Sequence, residues 1–292
     1  MSELKNILLA TDFSEMSAHA ARTAVKLCGL TGASLHVVSV VEQIAGYHNL
    51  RFPPDTPPPL MRPLVDSARH ELDAFITAHL GTVDATRQHF RAGRPYEEIL
   101  HAVRDSRADL VVMGTHGRKG IDRVTLGSVA ERVVANCTTP VLAVQKTLAF
   151  DQAMRILVAT DLSPSAERAA DVAGTLARLT SGRITLLAVL ESPHTGFWRH
   201  APTEDRAQAE ARVRKDLDAF AARALGGVKP ESVVVRSGTP AVEIVAASKE
   251  LGVDLMAMGS RGESGVAEWV LGSVVQRVLR DSAIPLLAAR AT

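Results

Sequence analysis

The sequence predicts an α/β protein of two tandem doubly wound domains, each a five-stranded parallel sheet with helices on both faces. Two observations carry this. Short, strongly apolar segments alternate with amphipathic ones through five strands and four helices, and the series then begins again. Segments of the first half also recur in the second at nearly constant offsets. Apolar strands separated by helices need a sheet covered on both faces.

The elements follow in order. Lys5–Ala10 reads as a buried strand. Ser14 is a plausible N-cap for a helix over Glu15–Cys28, with Gly29 as its stop. Ala33–Val41 is the second strand. A helix over Leu64–Leu80 presents Leu64, Ala68, Leu72, Phe75, Ile76 and Leu80 on one face. Val83–Arg91 alternates and is polar, so it belongs near an edge. Pro95 opens the helix Tyr96–Arg104, since proline fits a first turn. Asp109–Met113 is very apolar, a helix begins at Gly127-Ser128, and Val141–Val144 closes the set. The second half reads as Ile156–Ala159, Ala166–Leu179, Arg183–Val189, Thr203–Leu225, Ser232–Arg236, Ala241–Glu250, Leu255–Met258, Gly272–Arg280 and Leu286–Ala288.

The repeat can be aligned by eye. Asn6–Ser14 matches Arg155–Ser163, and Ser34–Val40 matches Arg183–Val189, both at an offset of 149. Arg91-Ala-Gly93-Arg-Pro95 matches Arg236-Ser-Gly238-Thr-Pro240 at an offset of 145. The first half thus carries an insertion, which the Pro-rich stretch Pro53–Pro59 accommodates. A period this long means duplicated domains, placed at 1–147 and 153–292.

Composition narrows the function classes. The 292 residues carry 33 Lys+Arg against 32 Asp+Glu, a net charge of +1. No basic or acidic block stands out, so electrostatic capture of nucleic acid or of an anionic membrane is not expected. Cys28 and Cys137 read as small buried helix residues, too sparse for a disulfide framework. No apolar run reaches bilayer length, and no leader is expected ahead of the first strand. A cytoplasmic location is the expectation.

The chemistry sits in two glycine loops. Gly114-Thr-His-Gly117 is followed by nine residues and then Gly127-Ser128; Gly259-Ser-Arg-Gly262 is followed by nine and then Gly272-Ser273. Each loop leaves a strand end and returns at a helix start. There, free backbone N–H groups and the positive dipole end suit phosphate oxygens. Glycine at the strand end also admits a ligand without a β-carbon in the way. The first βα turns, Ala10-Thr11-Asp12 and Ala159-Thr160-Asp161, lack the dinucleotide fingerprint, and neither loop ends in the Gly-Lys-Ser/Thr of a P-loop. A single Gly-x-x-Gly is usually only a turn. Here the spacing is kept twice while the residues between have diverged.

These loops match the ATP-binding signature of the universal stress protein family, and nearly the whole chain resembles a tandem member of it. The resemblance implies a Rossmann-like fold and two ATP pockets, with Mg2+ as an accompanying ion. It places Asp12 and Asp161 at the nucleoside end, beside the backbone of Ala10, Thr11, Ala159 and Thr160. Val40 and Val189 would meet the adenine. Gly114, Gly117, Gly127, Ser128 and Val129 would hold phosphates in one half, and Gly259, Gly262, Gly272, Ser273 and Val274 in the other. The competing reading of the aspartates is a turn or cap role, shared with Ser14 and Ser163. Arg118, Lys119, Arg261 and Glu263 would make the sites unequal if they reach the phosphates; otherwise they are solvated loop charges.

No catalytic set can be assembled. His116 is alone, His36 lies within a strand, and His194 and His200 lack carboxylates at metal-ligand spacing. The expectation is a nucleotide-dependent regulatory or stress-response factor with at most weak ATP hydrolysis. Two alternatives stay open: an adenylyl-transferring or nucleotide-cleaving enzyme of the same fold group, and a nucleotide-free interaction protein. Expected partners are an adenine nucleotide, a second copy in a homodimer through the last strands, and an unidentified protein. The stretch Gln43–Pro63, with Tyr47 and Phe52, and the loop with Phe197 and Trp198 are candidates for covering the pockets or meeting a subunit.

Overall fold

The computed structural model describes residues 3–42, 62–116, 127–191, 206–261 and 271–291. The chain divides into two compact units, Glu3–Thr147 and Leu148–Thr292. Each unit carries five parallel strands.

In the first unit the order is β1 (Asn6–Thr11), α1 (Glu15–Thr31), β2 (Ser34–Glu42), α2 (Arg62–His79), β3 (Gln88–Gly93), α3 (Pro95–Asp105), β4 (Leu110–Gly114), α4 (Ser128–Asn136) and β5 (Val141–Val144). The strands lie side by side as β3-β2-β1-β4-β5. The order reverses between β1 and β4, which opens a crevice at their carboxyl ends. Ile7, Leu8, Leu9, Leu110, Val111 and Val112 are fully buried. Successive residues of a strand face opposite sides, so both faces of the central strands are covered.

The second unit repeats the plan with β6 (Arg155–Ala159), α5 (Pro164–Leu179), β7 (Arg183–Glu191), α6 (Arg206–Ala224), β8 (Ser232–Gly238), α7 (Pro240–Glu250), β9 (Leu255–Gly259), α8 (Ser273–Asp281) and β10 (Leu286–Ala289). Its strand order is β8-β7-β6-β9-β10, with the switch between β6 and β9.

Several expectations need correcting. Gly29 does not stop α1. The helix runs to Thr31 and ends at Gly32, whose φ of 73° is left-handed and whose N–H bonds the Cys28 carbonyl at 2.8 Å. Glycine at that cap suits the left-handed turn, whereas one inside a helix only weakens it. On α2 the buried face is Val65, Leu72, Phe75 and Ile76; Leu64 is 43% exposed. The third strand begins late. Asp84 accepts from the Thr86 N–H at 2.8 Å and winds Ala85–Arg87 into a 3-10 turn, so pairing starts at Gln88. It is an edge strand, as its polarity predicts. Cys137 is buried at the end of α4, whereas Cys28 is only half-buried. Among the described residues, no helix is long and apolar enough to cross a membrane.

Candidate functional site

The turn after the first strand is built alike in both units. The Thr11 hydroxyl accepts from the Phe13 N–H at 3.0 Å, and the Asp12 carboxylate accepts from the Ser14 N–H at 3.1 Å. Thr160 and Asp161 do the same for Leu162 and Ser163, at 2.9 and 3.1 Å. Between these bonds Phe13 and Leu162 each adopt φ = 66°. A left-handed conformation in a bulky residue costs about 1–3 kcal/mol and persists only where its surroundings impose it. Ser14 and Ser163 cap α1 and α5 by accepting from Ser17 N–H and Ala166 N–H, both at 3.2 Å. The turn role weighed for the aspartates is therefore real for one carboxylate oxygen.

The glycines at the neighbouring strand ends serve packing. A β-carbon on Gly114 would stand 2.9 Å from Met16 Cβ, and one on Gly259 would stand 2.9 Å from Ser165 Cβ and from the Ala166 nitrogen. The missing side chain thus lets the start of α1 or α5 press on the strand end. Ligand approach, the reason expected from sequence, is not what fills that space.

The glycine loops are pinned at their bases. Thr115 donates its N–H to the Val144 carbonyl at 3.3 Å, and its own carbonyl accepts from the Gly127 N–H at 2.8 Å. Ser260 repeats this with Ala289 at 2.7 Å and Gly272 at 3.0 Å. Each loop therefore leaves and re-enters the fold at one point, beside β5 or β10. Gly127 and Gly272 then begin α4 and α8 with no side-chain cap. The first N–H groups of a helix have no intrahelical partner, and the helix dipole favours negative charge beside them. The Thr115 hydroxyl pairs with His116 Nδ1 at 2.9 Å. Its counterpart, Ser260 Oγ, is buried without a hydrogen-bond partner among the described residues.

In the second unit these parts surround a cavity of about 360 Å³. Ala159, Thr160, Asp161, Val189, Gly259, Gly272, Ser273 and Val274 all line it, which is every sequence-predicted residue of this unit among the described ones. Leu187, Ile244 and Met258 supply an apolar wall, and Arg261 a cation. The volume lies in the range of small-molecule sites.

The first unit differs. Among the described residues, a cavity of about 240 Å³ is lined by Glu42, Gly93, Arg94, Pro95, Tyr96, Ser128, Val129 and Arg132. Of the predicted residues only Ser128 and Val129 belong to it; Ala10, Thr11, Asp12, Val40, Gly114 and Gly127 do not. The Arg132 guanidinium lies 5.1 Å from the Tyr96 ring centre. Gly117, Gly262, Arg118, Lys119, Glu263, His194, His200, Phe197, Trp198, Tyr47 and Phe52 lie outside the described residues.

His36, on β2, stacks on His89 of β3, with Nδ1 3.3 Å from the partner's Nε2. Among the described residues, no group of three or more His, Cys, Asp or Glu side chains is placed to hold a metal. Burial pushes both thiols, Cys28 and Cys137, up to about 11.

Sequence reasoning gave no role to the repeated Arg-x-Gly-x-Pro segment. Arg91 ties edge strand β3 to α3 through Glu98 at 3.2 Å and through Asp105. Arg236 ties β8 to α7 through Glu243 at 3.6 Å and through Glu250. The signal was present, since both arginines have carboxylates seven and fourteen residues later.

The universal stress protein family model matches twice, over residues 3–145 and 153–290. A universal stress protein of Methanocaldococcus jannaschii is 32% identical over 144 residues, covering 49% of this chain and 82% of that protein. One from Thermus aquaticus is 35% identical over 141 residues, covering 48% and 98%. Among solved structures, a universal stress protein from Archaeoglobus fulgidus superposes with a TM-score of 0.66 at 24% identity, over 98% of each chain; it supports the fold. Two matched segments, each a parallel α/β unit with the same turn and the same bonds at the loop base, lead to one conclusion: the chain belongs to the universal stress protein family.

Proposed function

We propose that the protein binds ATP at the switch-point crevices and acts as a nucleotide-dependent regulatory factor. The observation that carries this is the second unit's cavity, around which every described residue of the predicted set converges. Asp161 lines the cavity, is exposed and, among the described residues, engages one oxygen in the turn, so the carboxylate retains capacity for ribose hydroxyl or adenine amino hydrogens. Ser273, Val274 and Val275 offer the uncapped helix start to phosphates. The Leu187, Val189 and Ile244 side supports an apolar base. Mg2+ enters as the counter-ion of the phosphates.

Holding rather than consuming the nucleotide is the reading the turn favours. The aspartate belongs to the nucleoside end, away from the phosphates, where a water-orienting or metal-holding carboxylate would be needed. We place the protein in the cytoplasm, with a second copy and an unidentified protein as further partners. Calorimetric titration of Mg2+-ATP into the full chain, followed by chromatography of the nucleotide, tests the reading. Saturable binding with ATP recovered intact is expected. AMP with pyrophosphate would make it an enzyme, and absence of binding would leave an interaction protein.

A further inference from the structure

We propose that the two pockets are unequal by construction: the second unit binds the nucleotide tightly, and the first is held back by its own serine hydroxyls. The inference rests on the nucleotide reading above and concerns the regulation of that same site.

The difference lies in what the two aspartates already hold. Asp12 Oδ1 receives the Ser14 N–H at 3.1 Å, the Ser14 hydroxyl at 2.6 Å and the Ser17 hydroxyl at 2.6 Å. Ser17 is 3% exposed, and its oxygen also accepts from the Asp12 N–H at 3.2 Å. Three donors converge on Oδ1, and the Ser17 oxygen holds the aspartate's own N–H, so the way the carboxylate is turned is fixed. Hydroxyl-to-carboxylate bonds this short are among the stronger ones in proteins. A ligand turning the carboxylate toward itself would strand a buried hydroxyl.

In the second unit the Ser17 position is Ala166, at the 149-residue offset. Ala166 is 1% exposed and has no hydroxyl to offer. Among the described residues, Asp161 Oδ1 accepts from the Ser163 N–H alone. Asp161 is exposed, whereas Asp12 is half-buried.

A second difference points the same way. At the start of α3 the first unit has Tyr96, which lines its smaller cavity; at the 145-residue offset the second unit has Ala241. An aromatic ring with an arginine over it narrows the space between α3 and α4, and an alanine does not. Clamp and ring together leave the first unit with a nucleoside acceptor fixed in its orientation and a narrower approach beside α4.

The experiment is titration of Mg2+-ATP into the parent chain and into two single variants. The parent is expected to show one tight event and one at least about tenfold weaker, one short hydrogen bond to a charged group corresponding to about a tenfold change or more. Ser17→Ala releases the clamp and strengthens the weak event about tenfold. Ala166→Ser installs the clamp in the second unit and weakens the tight event by a similar factor. A gain of affinity cannot come from misfolding, so Ser17→Ala remains decisive even if Ala166→Ser is unstable. Two equal events in the parent, or a weak event that Ser17→Ala leaves unchanged or weakens further, would overturn the inference while leaving nucleotide binding intact. No binding in any of the three proteins overturns the nucleotide reading, and this inference with it.

Discussion

Gly114 lies against Met16 so closely that a β-carbon on the glycine would stand 2.9 Å from the methionine's own β-carbon and 3.0 Å from its carbonyl carbon. The strand end and the start of α1 are thus in backbone contact, and the same holds for Gly259 against Ser165 and Ala166. This changes what a glycine substitution reports. Gly114→Ala and Gly259→Ala must push a helix start off the sheet. Overpacking of this kind costs about 1–3 kcal/mol. Gly272→Ala differs, because its φ of −57° suits any residue and its nearest neighbour is the Ser260 carbonyl oxygen at 3.1 Å. Urea unfolding should therefore show a larger loss for Gly259→Ala than for Gly272→Ala. Equal losses would mean that the strand-end glycine is not a packing device.

The arginine struts give a second prediction. Arg236 holds the Glu250 carboxyl below the usual 4.5, chiefly through their hydrogen bond. A carboxylate whose folded pKa is depressed stabilises the fold above its unfolded pKa, and the contribution is lost as pH falls through the folded value. The β8–α7 tie should therefore be intact at neutral pH and fade below about pH 4.5. In Glu250→Gln, the acid-side fall of the urea midpoint should be shallower than in the parent, with a lower plateau near pH 7. High salt should narrow the difference, since Glu250 is well exposed. Superimposable pH curves would show that the strut contributes nothing to stability.

Much of the fold was legible because the repeat supplies each element twice. Buried strands, the edge position of β3 and the caps at Ser14 and Ser163 follow from local chemistry that either copy displays. What was misread depends on contacts between elements. Gly114 looks the same in sequence whether a ligand or a helix fills the space beside it. The Ser17-to-Ala166 difference is a single hydroxyl among many divergent positions. It acquires meaning only once the turn brings that hydroxyl to Asp12. By residue type Gly29 and Gly32 are equal candidates for a helix stop, and only the left-handed geometry at Gly32 ends the helix.

The cysteines yield a simple prediction. Burial pushes both thiols up to about 11. At pH 8 each would then be ionised to about one part in a thousand, and the thiolate is the reactive form. A disulfide reagent should modify the native chain far more slowly than the urea-unfolded chain. Rapid native labelling of either thiol would show that it opens to solvent readily.

The histidine pair gives the last prediction. His36 and His89 stack across β2 and β3, with nitrogens 3.3 Å apart. Burial lowers both pKa values from the usual 6.5; His36 is lowered further by the charge of His89, and His89 by that of Arg91. A histidine kept neutral in the folded state binds fewer protons than in the unfolded chain. By linkage, stability is full above the unfolded pKa and falls as pH drops from there toward the folded pKa. The first unit should thus lose stability below about pH 6.5, a window the carboxylates do not share. The second unit, with Thr185 at the His36 position and Val234 at the His89 position, has no such pair. NMR titration should give both imidazoles midpoints below 6.5, and His36→Thr should flatten the stability slope between about pH 6.5 and 5. A His89 midpoint that stays low in His36→Thr fits burial as its leading cause, and one that rises to 6.5 or above would show that the pairing sets it.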